Sequence, residues 1–154
     1  MPYDPSRTAV VVVDMQNGFC HPDGSLYAEP SEAAIDPVST LVDRAHDAGV
    51  QVVYTRDVHP PEQFDDAHYY DEFDRWGEHV VEGSWEAELV DSLDVHSADH
   101  VVEKHTYDAF HQTELGDSST PTASKISFFV APSRTSASST PRAAPVSVIS
   151  NRSS

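Results

Sequence analysis

Asp57 and His59 stand at i and i+2 in "TRDVHPP", a spacing that puts both side chains on one face of an extended chain, as paired metal ligands require. His79 and His68 are further imidazoles able to complete a donor set. Neutral imidazole with carboxylate oxygen suits Zn(II), Fe(II) or Mn(II), and residue types alone do not choose among them. Asp14 and Lys104 make a second candidate pair, in which a buried carboxylate needs a cation and the lysine held charged by it can flank a nucleophile. Blander readings stand beside both. With nine His and 26 Asp and Glu in the chain, a D-x-H is most often a solvated pair, and a carboxylate with a lysine is as often a structural ion pair.

Position is what raises these residues above that background. "TAVVVVDMQ" is a continuous β-branched run that ends in Asp14, as a strand buried on both faces does. The segment "SEAAIDPVSTLVDRAHDAG" repeats apolar residues at Ile35, Val38, Leu41, Val42 and Ala45, with acidic residues early and Gly49 as a stop, which predicts an amphipathic helix. "VQVVYTRDVH" then predicts a second buried strand and completes a right-handed β-α-β unit. Residues 60–76 are polar and aromatic without period, so they predict a long surface excursion of the kind that carries function. "SWEAELVDSL" predicts a short helix capped by Ser84, with Glu86 and Glu88 in its first turns, and "HVVEKH" predicts a third strand that ends at Lys104. Three strand ends therefore present Asp14, Asp57 with His59, and Lys104, at the edge where open α/β sheets place their sites.

The bulk properties narrow the partners. The net charge of −17, with only Lys104 and Lys125 as lysines, repels nucleic acid and anionic membranes and suits a protein kept soluble in high salt. Cys20 is the one cysteine, so no internal disulfide forms. The opening "MPYDPSRTAVVVVD" has neither a basic leader nor a long apolar stretch, which predicts a cytoplasmic protein without a spanning helix.

Four motifs in order over residues 8–115 resemble the isochorismatase-like cysteine hydrolases. "VVVVDMQNGFCHPDGSL" is similar to the family's opening, "TRDVHPP" and "WGEHVVEGSWEAEL" to the metal-site segments of its nicotinamidase branch, and "VVEKHTYDAF" to the segment with the catalytic lysine. The resemblance implies a Rossmann-like three-layer α/β/α fold with a mainly parallel sheet, a small-molecule amide substrate and, for intact members, homo-oligomers. It makes Asp14 the general base that takes a thiol proton and Lys104 the cation that favours the thiolate and the developing oxyanion. It places Asp57, His59 and His79 on metal positions, joined by His68 or, in its stead, Asp65 or Asp66. It places Phe19 and Trp76 on either side of a substrate ring, although either aromatic could equally be core. A metal-independent member acting on another substrate, and a non-catalytic protein that binds a metal or a partner chain, are the competing readings.

The nucleophile the resemblance requires, a cysteine well after the lysine, is missing. Cys20 matches an early position and reads as a small packed thiol. The chain also changes character at Asp117. All 26 acidic residues lie at or before it, and the residues after it are rich in Ser, Thr and Pro, a composition too poor in apolar surface to offset chain entropy. The expected organisation is a partial hydrolase domain over 1–117 and a disordered tail over 118–154. Read one nucleotide out of register from about Ser119, permitted codons spell "LDAHGVEDLFFCGTLANVCVLHTAGSA". That string contains a helix end, a buried strand and a cysteine whose codon straddles Ser136 and Ala137. The expectation is a frameshifted, C-terminally incomplete chain; a native Ser/Thr/Pro linker is the simpler reading and leaves the missing strand and thiol unexplained.

Overall fold

The computed structural model describes residues 4–65 and 75–105 and the backbone of 126–130. His68, Asp66, the boundary at Asp117 and the shifted cysteine codon lie outside the described residues. Four parallel strands, β1 (Ala9–Val13), β2 (Gln51–Asp57), β3 (His100–Lys104) and β4 (Ile126–Val130), form one sheet in the order β3-β2-β1-β4. Three short helices, α1 (Asn17–Cys20), α2 (Glu29–Ala33) and α3 (Ile35–Asp47), lie between β1 and β2. The family-type parallel α/β sheet expected from the motifs is therefore present.

Alternation along the strands divides the core in two. Val10, Val12, Val52 and Tyr54 pack with Val38, Val42 and Ala45 of α3, while Val11, Val13, Val53 and Val102 form a separate apolar cluster. Because successive strand side chains point to opposite faces, an unbroken valine run fills both, and every residue of β1 is buried. The predicted helix is real but divided at Ala34, with α2 entering through Pro30 and α3 beginning at Ile35. Gly49 follows α3 at φ 69°, the left-handed conformation that a glycine adopts at little cost to stop a helix.

One expectation is corrected. "SWEAELVDSL" does not form an α-helix: Trp85–Ala87 is a single 3₁₀ turn, and Ser84 makes no capping hydrogen bond through its side chain. The backbone there is used for contacts with the β1 exit instead. Asn17 N–H donates to Glu88 O at 2.9 Å, Val90 N–H to Met15 O at 2.9 Å, and Asn17 Nδ2 to Trp85 O at 3.0 Å. A continuing helix would have consumed those carbonyls. A further finding concerns residues 126–130, which pair with β1 as β4. "ISFFV" is a β-branched and aromatic run inside a Ser-rich context, with the propensity to fill an unpaired edge.

β1, β2 and β3 step in one direction across the sheet and β4 lies on the other side of β1. The strand order thus reverses beside the end of β1, where parallel sheets open a crevice for ligands.

Candidate active site

Asp14 follows β1 directly and holds φ 53°. For a residue with a Cβ this conformation is costly and persists only where surroundings enforce it. Here Thr55 does so from the neighbouring strand: Asp14 N–H donates to Thr55 O at 3.1 Å and Oγ1 at 3.2 Å, and Thr55 Oγ1 donates to Asp14 Oδ1 at 2.9 Å. The other carboxylate oxygen meets Lys104 Nζ at 2.9 Å. Lys104 has a side chain 0% exposed, so this pair is removed from water and its charges are held by each other rather than by solvent.

Lys104 also stands 4.0 Å from Asp57 Oδ1, which links the pair to the candidate metal ligands. β2 ends at Asp57, and His59 lies just beyond it in an isolated parallel bridge with Val81. His59 N–H donates to Val80 O at 3.2 Å and Glu82 N–H to His59 O at 2.9 Å. That bridge carries His79 to His59, with ring centroids 5.1 Å apart and planes at 76°. The Glu86 carboxylate helps to fix the His79 segment by accepting from Val80 N–H and from Ser25 N–H and Oγ.

The donor chemistry fits a divalent ion. His79 Nδ1 lies 2.7 Å from Gly77 O, an acceptor only, so Nδ1 carries the proton and the neutral ring keeps its lone pair on Nε2. His59 Nδ1 lies 3.1 Å from Gln63 Oε1, which sets the same tautomer, and its Nε2 lies 3.3 Å from Asp57 Oδ1. Two imidazoles with their Nδ1–H groups anchored outward, beside a buried carboxylate, are what metal ligation asks of histidine.

The remaining candidates differ in burial and contacts. Phe19 is buried and Trp76 is half exposed with its ring 6.5 Å from that of His79. Asp65 is exposed. Cys20 is fully buried, and burial together with the Asp14 charge pushes its thiol from 9.0 up to about 12, so it stays protonated and is no nucleophile at neutral pH.

Three residues of the site escape a reading by residue type. Gln16, fully buried, donates through Nε2 to Asp57 O at 2.8 Å and Ala87 O at 2.9 Å and accepts from Asp57 N–H at 2.7 Å, tying the end of β2 to the β1 exit. Thr55 orients Asp14. Phe64 sets its ring edge-on to both His59 and His79, with centroids at 5.9 and 5.7 Å. The only signal for them in the chain is position: Gln16 two residues after Asp14, Thr55 two before Asp57, and Phe64 inside the aromatic excursion.

Comparison with known proteins places the chain in a family. The isochorismatase domain matches residues 8–119, and the chain belongs to that family. It is 31% identical over 117 residues to the nicotinamidase of Saccharomyces cerevisiae, covering 62% of this chain and 52% of that protein. It is 28% identical over 132 residues to the ureidoacrylate amidohydrolase RutB of Acinetobacter baylyi, covering 72% of this chain and 53% of that protein. Among solved structures, a cysteine hydrolase from Pseudomonas syringae pv. phaseolicola superposes with a TM-score of 0.72 at 30% identity, covering 85% of this chain and 61% of the other. The chain spans about half the length of the curated relatives it matches.

Proposed function

We propose that this chain carries the base, lysine and metal-ligand portion of a nicotinamidase-type amidohydrolase, which converts nicotinamide and water to nicotinate and ammonia through a cysteine thioester. The observation that carries the reading is Lys104 Nζ, set 2.9 Å from Asp14 Oδ2 and 4.0 Å from Asp57 Oδ1, so that one buried cation joins the proton acceptor to the metal ligands. The similarity to the yeast nicotinamidase supports the substrate class.

In this mechanism Asp14 takes the proton of a cysteine thiol, and the Lys104 ammonium favours the thiolate and then the oxyanion of the tetrahedral adduct. The C–N bond breaks as Asp14 returns the proton to the departing nitrogen. Asp14 next deprotonates the water that releases the acid from the thioester. Asp57, His59 and His79, with His68, Asp65 or Asp66, would hold a divalent ion whose chemistry when bound is to anchor a pyridine nitrogen. Phe19 and Trp76 would flank the ring. Cys20, buried and protonated, does not supply the sulfur, so the 154-residue chain lacks its nucleophile, and the out-of-frame cysteine at Ser136/Ala137 is the one it lost.

A second reading, a metal-independent hydrolase of carbamoyl substrates, is favoured by the similarity to ureidoacrylate amidohydrolase. A chelator separates the two. A frame-restored protein stripped of metal loses nicotinamide turnover on the first reading, and Asp57→Ala and His59→Ala lose it likewise. Undiminished hydrolysis of a carbamoyl substrate after stripping selects the second.

A further inference from the structure

A second His/Asp cluster lies far from the site described. His46 stands in the last turn of α3, five residues before the start of β2, and Asp94 and His96 lie in the loop that leads into β3. Since the strands are parallel, their starts and ends lie on opposite edges of the sheet, roughly 15 Å apart for five residues at the usual rise. The cluster therefore sits on the edge opposite Asp14, Asp57 and Lys104.

One ring nitrogen of His46, one of His96 and a carboxylate oxygen of Asp94 all lie within 4.8 Å of one another. The His46 and His96 rings are stacked, with centroids 3.6 Å apart and planes at 10°. Asp99 holds His46 from behind: His46 Nε2 is 3.0 and 2.9 Å from its two carboxylate oxygens, and that side chain is only 5% exposed. A carboxylate is an acceptor only, so Nε2 carries the proton and Nδ1 the lone pair in the neutral ring. That Nδ1 is buried and has no hydrogen-bond partner among the described residues. A histidine whose one nitrogen donates to a carboxylate while the other is left as an orphaned acceptor is in the state that metal ligation uses.

The loop is already pinned in place. Ser39 Oγ donates to Ser92 O at 3.0 Å, Tyr54 Oη to Asp94 O at 3.3 Å, and His96 N–H to Asp99 Oδ2 at 2.8 Å. His96 Nε2 lies 2.9 Å from Asp94 Oδ2, an N–H···O bond in the neutral ring that brings two of the three ligand groups together and whose proton the ion displaces on binding. The C-terminal end of α3 and a net charge of −17 both favour a cation there.

From this geometry we propose a second divalent-metal site formed by His46, Asp94 and His96, with Asp99 as the residue that positions His46, suited to a borderline ion such as zinc or nickel. Lone pairs lie in the ring planes, so nearly parallel rings cannot both address one ion. Loading therefore turns His96, the more exposed partner, out of the stack. The bound ion then staples the end of α3 to the loop that delivers β3. The proposal stands apart from the nicotinamidase reading, because none of its residues belongs to that site.

The test is zinc titration of the full chain, read at the individual imidazoles by proton–nitrogen correlation spectra. The expected result is that the ring nitrogens of His46 and His96 shift with one equivalent of zinc that is distinct from any bound at His59 and His79. His96→Ala and Asp94→Asn then weaken that equivalent at least tenfold. Asp99→Asn redistributes the His46 tautomer and weakens zinc, which a merely structural role would not do. Zinc that moves only His59 and His79, or a His96→Ala protein that binds zinc at His46 as tightly as the parent, overturns the proposal and leaves the cluster as a hydrogen-bonded histidine stack. Loss of the His59 and His79 shifts alone counts against the metal ligands of the first site and not against this one.

Discussion

Lys104 is fully buried and faces Asp14 at 2.9 Å, so removing either partner strands a charge. Lys104→Met is expected to cost about 3–5 kcal/mol of unfolding free energy, and adding Asp14→Asn to recover part of it, because the strandedness rather than the loss of attraction dominates. Urea unfolding of the two variants checks this; an unchanged midpoint for Lys104→Met contradicts it. Cys20 gives a second expectation at this scale. Burial first and the Asp14 charge second raise its thiol from 9.0 to about 12. A raised folded value means stability that is full below 9.0 and is lost as pH rises toward about 12, since only the unfolded thiol ionises in between. At pH 8 the folded chain is expected to resist a thiol reagent that labels it quickly in denaturant; equal labelling rates contradict the burial. Asp14, Asp57, His59, His79 and Lys104 are legible in the sequence as candidates because each is a titratable side chain next to an apolar run. Gln16 and Thr55 are not, because they act through backbone and hydroxyl contacts between segments some 40 positions apart, which exist only once the strands pair.

At the scale of elements, periodicity was a good guide where burial was the only demand. β1, β2, β3 and α3 follow their apolar patterns, and Val38, Val42 and Ala45 face the sheet as the helical spacing predicts. Val42 is fully buried against β1 and β2, so Val42→Ala is expected to cost about 2 kcal/mol through lost transfer and a residual cavity. Equilibrium denaturation measures it, and a cost near zero would mean that α3 does not pack as described. The pattern misled where a backbone was needed for something else. Trp85–Ala87 closes after one turn because the carbonyls of Trp85, Ala87 and Glu88 hold Asn17 and Gln16. The β4 run was submerged in the composition of the tail, although its five residues carry their own strand propensity. Its position is also where the shifted frame spells "LFFC", so the run there is apolar in either frame.

For the whole molecule, the facts to reconcile are a family fold, a clustered set of chemical groups, and a chain about half the length of its curated relatives. The proposed frameshift would join them: the first three strands and their candidate site residues would be in register, and the thiol proposed to react with Asp14 and Lys104 would be encoded one base away. The most direct measurement is nicotinate release from nicotinamide by the 154-residue chain, side by side with the same gene after one base is restored near codon 117. The account predicts no turnover by the first and cysteine-dependent turnover by the second, abolished when the restored cysteine is replaced by alanine. Turnover by the 154-residue chain itself, with Cys20 replaced or not, would contradict it.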